Sequence, residues 1–285
     1  MAIRTWGRIF SACGWLLFAA CDVLDPAEPP PALVDLSPFQ TTARTAANQA
    51  DDAWMFTPDG GYMGTFPLPA VVPVLPAEVP FVLVRPGIYV DGQRGARLAY
   101  PFYAADTVRI DPSVDTVRYR PTLRYLPDLR GSLPFEDDFE EAADVGLRPS
   151  DEHTGTWRRV AHDGPGGGGA WYGAAETPGL DDERIELLSG APKALPEDGR
   201  PVYLEITYRS NVILQVGLLS TQGGESTPLF ELSLFRSDDW QKVYVNLETE
   251  VFFSRGRLHQ VLFRAEVPEG TQGFVHLDDV RLIHR

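Results

Sequence analysis

Along most of the chain, apolar and polar residues alternate at period two, the spacing of β-strands with one buried face. Val202, Leu204, Ile206 and Tyr208 alternate with Tyr203, Glu205, Thr207 and Arg209. Similar short runs follow at 212–219, 230–235, 241–247, 258–267 and 274–283, separated by Gly, Ser, Asp and Pro. Earlier in the chain, Trp54-Met-Phe56, the turn residues Pro58-Asp-Gly-Gly61 and Tyr62-Met-Gly-Thr-Phe66 read as a hairpin. Further β segments are predicted at 71–72, 79–84, 107–110 and 117–125. No stretch sustains a helical period. Residues 41–52 come nearest, without an apolar stripe. In 274–283 the apolar parity changes: Val275 and Leu277 share one face, Val280 and Leu282 the other. A bulge at Asp278-Asp279 would reset the phase.

The pattern predicts an all-β protein of two β-sandwich domains. At about 150 residues per domain, 285 residues fit two. Pro and Gly cluster without periodicity at 127–134, which predicts a linker there, between a first domain at 33–126 and a second at 135–285 that fold independently. At 44% hydrophobic residues the chain can fill such cores. The net charge of −15 repels phosphate backbones and argues against nucleic acid as a partner.

Residues 1–20 stand apart. Arg4 and Arg8 precede a short apolar run at 9–20, too short to span a bilayer and suited to a secretory signal peptide. Phe18-Ala19-Ala20-Cys21 closes it and resembles the bacterial lipobox, with Phe where the consensus prefers Leu. That resemblance implies cleavage before Cys21 and acylation of its thiol and amine, palmitate being the expected type of chain. The alternative is an ordinary signal peptide with an incidental cysteine. Cys13 would leave with the peptide, so no intramolecular disulfide is expected. Residues 21–32, acidic and carrying Pro29-Pro30-Pro31, read as a semi-rigid tether. The expected location is the bacterial cell envelope, lipid-anchored, at the outer rather than the inner membrane.

Two further resemblances bear on the domains. Gly64-Thr65-Phe66-Pro67-Leu68 after a hairpin, with Arg85-Pro86-Gly87-Ile88-Tyr89, resembles PEGA-type surface domains. Those are transthyretin-like sandwiches that serve as adhesion or spacer modules. The Pro-rich 67–80 segment departs from that pattern. In the second half, Phe135-Glu-Asp-Asp-Phe-Glu140, Asp239-Trp240-Gln-Lys-Val-Tyr-Val-Asn-Leu247 and Val275-His-Leu-Asp-Asp-Val-Arg-Leu282 are similar to galactose-binding-like jelly rolls, the architecture of many carbohydrate-binding modules. The second sandwich is therefore expected to be a jelly roll. In that family a structural calcium often sits where the first and last strands meet. Glu136, Asp138, Glu140 and Asp278 would offer the oxygens for a Ca²⁺ ion, or else simply solvate the strand ends.

Sugars bind by stacking C–H faces on exposed aromatic rings. Trp171 and Tyr172, following a Gly-rich loop, are the candidates for ligand contact, with core packing as the alternative. Trp240 reads as core. Gly164 to Gly169 matches G-x-G-x-x-G, but no helix can follow it before Gly173 and Pro178-Gly179, so no dinucleotide site is expected. No metalloprotease, nucleophile-elbow or P-loop motif is present. Paired carboxylates such as Asp238-Asp239 point to opposite faces of a strand. The expectation is a non-enzymatic envelope lipoprotein, a spacer sandwich followed by a jelly roll that binds carbohydrate or an envelope protein. The alternatives are a structural subunit of an envelope complex and, more remotely, a hydrolase with an unrecognised site.

Overall fold

The computed structural model describes residues 30–41, 50–75, 79–111, 113–131, 133–142, 146–163, 169–254 and 256–285. The expected signal peptide, Cys21, most of the expected tether, most of the 41–52 helix candidate and the Gly-rich loop at 164–168 lie outside them.

The first half contains β1 (Ala32–Leu36), β2 (Gln40–Thr41), β3 (Asp52–Phe56), β4 (Tyr62–Pro67), β5 (Ala70–Val74), β6 (Phe81–Tyr89), β7 (Arg97–Ala99), β8 (Asp106–Arg109), β9 (Thr116–Tyr119) and β10 (Thr122–Leu123). The second contains β11 (Phe135–Asp137), β12 (Leu147–Pro149), β13 (Thr156–Ala161), β14 (Trp171–Glu176), β15 (Arg184–Ser189), β16 (Val202–Ser210), β17 (Leu214–Gln222), β18 (Glu225–Leu234), β19 (Ser237–Asn246), α1 (Glu248–Phe253), β20 (Leu258–Glu266) and β21 (Phe274–His284). The protein is all-β, and α1 is the one α-helix among the described residues.

The first half packs the sheet β5-β1-β9 on the sheet β4-β3-β6-β7, with β8 also paired to β6. The alternation read from the sequence supplies the core: Val34, Leu36, Met55, Val82 and Val84 are fully buried between the sheets. β1 runs antiparallel to β5 and parallel to β9. The predicted hairpin is β3–β4.

The second half is a jelly-roll sandwich. One sheet has the order β13-β14-β21-β16-β19 with β11 on β21; the other has the order β12-β15-β20-β17-β18. Leu204, Ile206, Leu218, Phe263 and Leu277 are buried between them. The parity change in β21 is a bulge. Glu205 pairs with Arg281 and Thr207 with Asp278, so β21 carries one extra residue. Asp279 takes a φ of 45°, a left-handed conformation that Asp tolerates better than most residues. The bulge returns Val280 and Leu282 to the core.

Residues 127–134 were expected to form a breaker-rich connector between separate cores. The structure departs from this. Pro127–Gly131 forms a 3-10 turn, and Leu129 is buried. It joins a third core to which both halves contribute: Ile88, Tyr100, Phe102, Tyr103 and Leu123 from the first, Tyr203, Tyr244 and Ile283 from the second. Tyr100 meets Tyr203 edge-on at 5.3 Å and Tyr244 at 4.9 Å. The second-half residues in this core lie on the outward parity of β16, β19 and β21. Alternation places them toward solvent, and the first half covers them.

Candidate functional site

The first half covers only part of the outer face of the β13-β14-β21-β16-β19 sheet. Two kinds of side chain follow along that face.

The covered part is a charge network. Glu205, with no exposed surface, accepts hydrogen bonds from the Tyr100 hydroxyl at 2.8 Å and the Tyr125 hydroxyl at 2.6 Å. Lys242 Nζ lies 3.3 Å from it and Arg281 Nη1 3.7 Å. Arg281 also donates to Glu136 Oε1 and to the Tyr125 hydroxyl at 2.8 Å. Burial holds the Tyr100 and Tyr125 hydroxyls well above the ordinary tyrosine range, reinforced by the Glu205 charge. Asp279, beside this network, is pushed up to about 6, chiefly by burial.

Beyond Thr207 the face becomes aromatic. Tyr172 on β14, Trp240 on β19, His276 and Phe274 on β21, and His162 after β13 form a continuous ring cluster. Tyr172 lies 5.3 Å from Trp240, 4.9 Å from His276 and 4.8 Å from His162, and Phe274 lies 4.8 Å from His276. The Arg209 guanidinium sits over both Tyr172, at 5.5 Å, and Trp240, at 5.1 Å. Its Nε donates to His276 Nδ1 at 3.0 Å. Nδ1 therefore accepts, and the neutral imidazole carries its proton on Nε2. Burial, with the Arg209 charge, pushes His276 down to about 4, so this tautomer persists at neutral pH.

His276 Nε2 is buried and has no hydrogen-bond partner; Glu176 Oε1 stands 3.4 Å away. Glu176 is held below the ordinary carboxylate range, first by its hydrogen bond from Arg158. These groups line a cleft of about 510 Å³ with Thr177, Asn211, Gln272, Gly273 and Phe274. It offers a ring face, an N–H donor and an ionised carboxylate within one concavity.

Of the two aromatics singled out in the sequence, only Tyr172 lies on this face, and it is 5% exposed. Trp171 has the opposite parity. It packs against the sandwich core, and the Arg159 guanidinium stacks 3.9 Å from its ring centre. Trp240, read as core, is on the outer face and half-buried. The sequence reading also missed Phe274, His276 and Arg209. Their signal was parity, since Phe274, His276 and Asp278 alternate with Val275 and Leu277.

The four carboxylates considered for calcium do not make a cage. Glu136 is paired with Arg281, and Asp138 accepts from the Glu140 amide at 3.1 Å. Glu140 accepts from the amides of Ala170 at 2.7 Å and Trp171 at 3.2 Å. Asp278 faces His162 Nε2 at 3.0 Å and accepts from the Asp279 amide at 2.8 Å. Among the described residues no three His, Cys, Asp or Glu side chains group as a metal site. The residues do not fit the ion, and no role for calcium follows.

No family model matches the chain, and no curated protein matches it. Solved structures match about half of the chain. The family 11 carbohydrate-binding module from Clostridium thermocellum, in complex with a β-1,3-1,4-mixed-linked tetrasaccharide, is 14% identical with a TM-score of 0.36, over 53% of this chain and 94% of that one. TmCBM61, in complex with β-1,4-galactotriose, is 10% identical with a TM-score of 0.31, over 49% of this chain and 87% of that one. The K1 cleaved adhesin domain of Lys-gingipain from Porphyromonas gingivalis W83 is 12% identical with a TM-score of 0.37, over 53% of this chain and 98% of that one.

Proposed function

We propose that the protein is a non-enzymatic binding protein of the bacterial cell envelope, held to a membrane through acylated Cys21, whose jelly roll binds carbohydrate in the cleft beside Phe274. The observation that supports this reading best is the cleft that sets the Phe274 ring beside the His276 Nε2–H and the ionised Glu176, which stand 3.4 Å apart. A ligand hydroxyl would accept from that N–H, whose contact with the carboxylate lacks hydrogen-bond geometry. A sugar supplies such a hydroxyl on the edge of a ring whose C–H face can lie on Phe274. Glu176, kept ionised by Arg158, would accept from a neighbouring hydroxyl.

The test is a glycan array probed with the full chain carrying Cys21→Ser. Binding to a defined oligosaccharide is expected, falling at least tenfold in Phe274→Ala and in His276→Leu. An array left blank by the wild-type face, or binding indifferent to both substitutions, would refute the reading. A second reading, a subunit of an envelope complex, draws on Phe235 and Phe253, which are 77% and 74% exposed. It predicts capture of an envelope protein that Phe253→Ser abolishes.

A further inference from the structure

The first half carries an exposed aromatic surface of its own, far from the cleft in sequence. On the outer side of β3, β4 and β6, Trp54 and Phe56 point away from the Met55 and Val84 core. Tyr62, 59% exposed, lies between them, 5.6 Å from Trp54 and 5.7 Å from Phe56. Its hydroxyl is hydrogen-bonded to Thr65 Oγ1 at 2.7 Å. The Trp54 indole lies close over Gly87, where a Cβ would fall 2.6 Å from its ring, so any larger residue there would lift the ring. The register sets Tyr62 beside Phe56, Phe56 beside Leu83, and Leu83 beside Thr107. Arg85 is opposite Trp54, its guanidinium 5.2 Å over the Phe56 ring, and Arg109 ends β8 beside Phe81. Both arginines are exposed. Unlike Arg97, which pairs with Asp52 at 3.2 Å on the same sheet, neither is in an ion pair among the described residues.

We propose that this face docks on the headgroup layer of an anionic bilayer. The reading rests on the acylation of Cys21. Three features favour a lipid surface as the occupant. Amphipathic rings and arginines are the pairing that suits the interface, rings at headgroup depth and guanidinium groups on phosphates. Two exposed arginines with no ion pair among the described residues supply cations at this face in a protein of net charge −15. The chain from Cys21 to Ala32 reaches at most about 40 Å fully extended, so an anchored first half stays beside the bilayer. At such range the effective lipid concentration is high, and a weak contact suffices to orient the protein.

The experiment uses the full-length acylated protein in vesicles of 30% phosphatidylglycerol and 70% phosphatidylcholine. A polarity-sensitive dye is attached through Thr107→Cys on the face or Ser226→Cys on β18. The expected result is quenching of the Thr107→Cys label by a headgroup-borne quencher, with the Ser226→Cys label unaffected. Replacing both arginines (Arg85→Ala with Arg109→Ala) should weaken docking roughly 25-fold, about fivefold for each basic residue near an anionic surface. Pure phosphatidylcholine vesicles should do the same. Protein that floats with the vesicles but leaves both labels unquenched, or quenches them equally, retains its anchor and overturns the docking face. Protein that does not float removes the anchor reading and the docking proposal together.

Discussion

Replacing Glu205 with Gln keeps the volume at the centre of the joint and removes its charge. Glu205 has no exposed surface, and two tyrosine hydroxyls from the first half donate to it. Lys242, itself 2% exposed, and Arg281 face it from the second half. Hydrogen bonds to a charged group are worth about 1.5–3 kcal/mol each, and breaking one partner of a buried ion pair costs about 3–5 kcal/mol. These terms describe the same loss and do not add. The expected destabilisation is about 4 kcal/mol, with Lys242 left facing only the Asp279 carboxylate. For a chain of this size each kcal/mol moves Tm by about 2–4 °C, so the fall should be roughly 8–16 °C. Scanning calorimetry of the Cys21→Ser chain measures it. Wild type should melt in one transition, because the aromatic core is shared, and Glu205→Gln should lower it and begin to separate the halves. A variant melting within about 2 °C of wild type, still in one transition, would refute the idea that this carboxylate clamps the joint.

Four other outcomes follow. Burial raises Asp279 from 3.8 to about 6, so the native state holds that proton more tightly than the unfolded chain; stability is lost as pH rises from about 4 through 6 and the loss is complete above. Asp279→Asn should therefore stabilise the protein more at pH 7 than at pH 4, by on the order of 2–3 kcal/mol, and an equal effect at both would contradict it. His276, lowered to about 4, stays neutral above that value, so ligand affinity in the cleft should be level from pH 5 to 8, as isothermal titration would show. Gly173→Ala should cost about 1–3 kcal/mol by denaturant titration, because its Cβ would lie 2.6 Å from the Phe139 ring and closer still to Trp157. Cys21→Ser should move the protein from the detergent phase to the aqueous phase, and intact-mass analysis of wild type lacking an acyl mass would exclude the anchor.

Parity carried most of the fold. The alternation in β16 and the slip at Asp278-Asp279 were legible because a sandwich core demands one apolar face per strand, and a bulge is the least disruptive way to exchange faces. What parity could not show was that the second face of β16 and β21 is also covered. Tyr203 and Ile283 read as solvent-facing positions, yet they are 3% and 0% exposed against the first half. That burial depends on Tyr100 and Phe102, more than a hundred residues away along the chain, and no local pattern announces it. The same limit applies to the cleft. Trp171-Tyr172 was noticed as a pair, but neighbours on a strand face opposite ways, and only the strand order tells which of them meets Trp240. The one α-helix among the described residues, α1, is six residues long with one buried side chain, Val251, too short for a periodic signal.

The parallel pairing of β1 with β9 has a mechanical consequence. Leu33 through Leu36 lie in register with Thr116 through Tyr119, and β2 and β10 repeat the arrangement at Gln40 and Thr122. The chain enters β1 from its N-terminal end and leaves β10 toward the jelly roll. A pull between those two points draws parallel strands past one another along their length. Their rungs then share the load and must fail together, whereas a hairpin pulled at its open end parts one rung at a time. A protein tugged at its distal half while held near residue 30 would thus meet its stiffest element first.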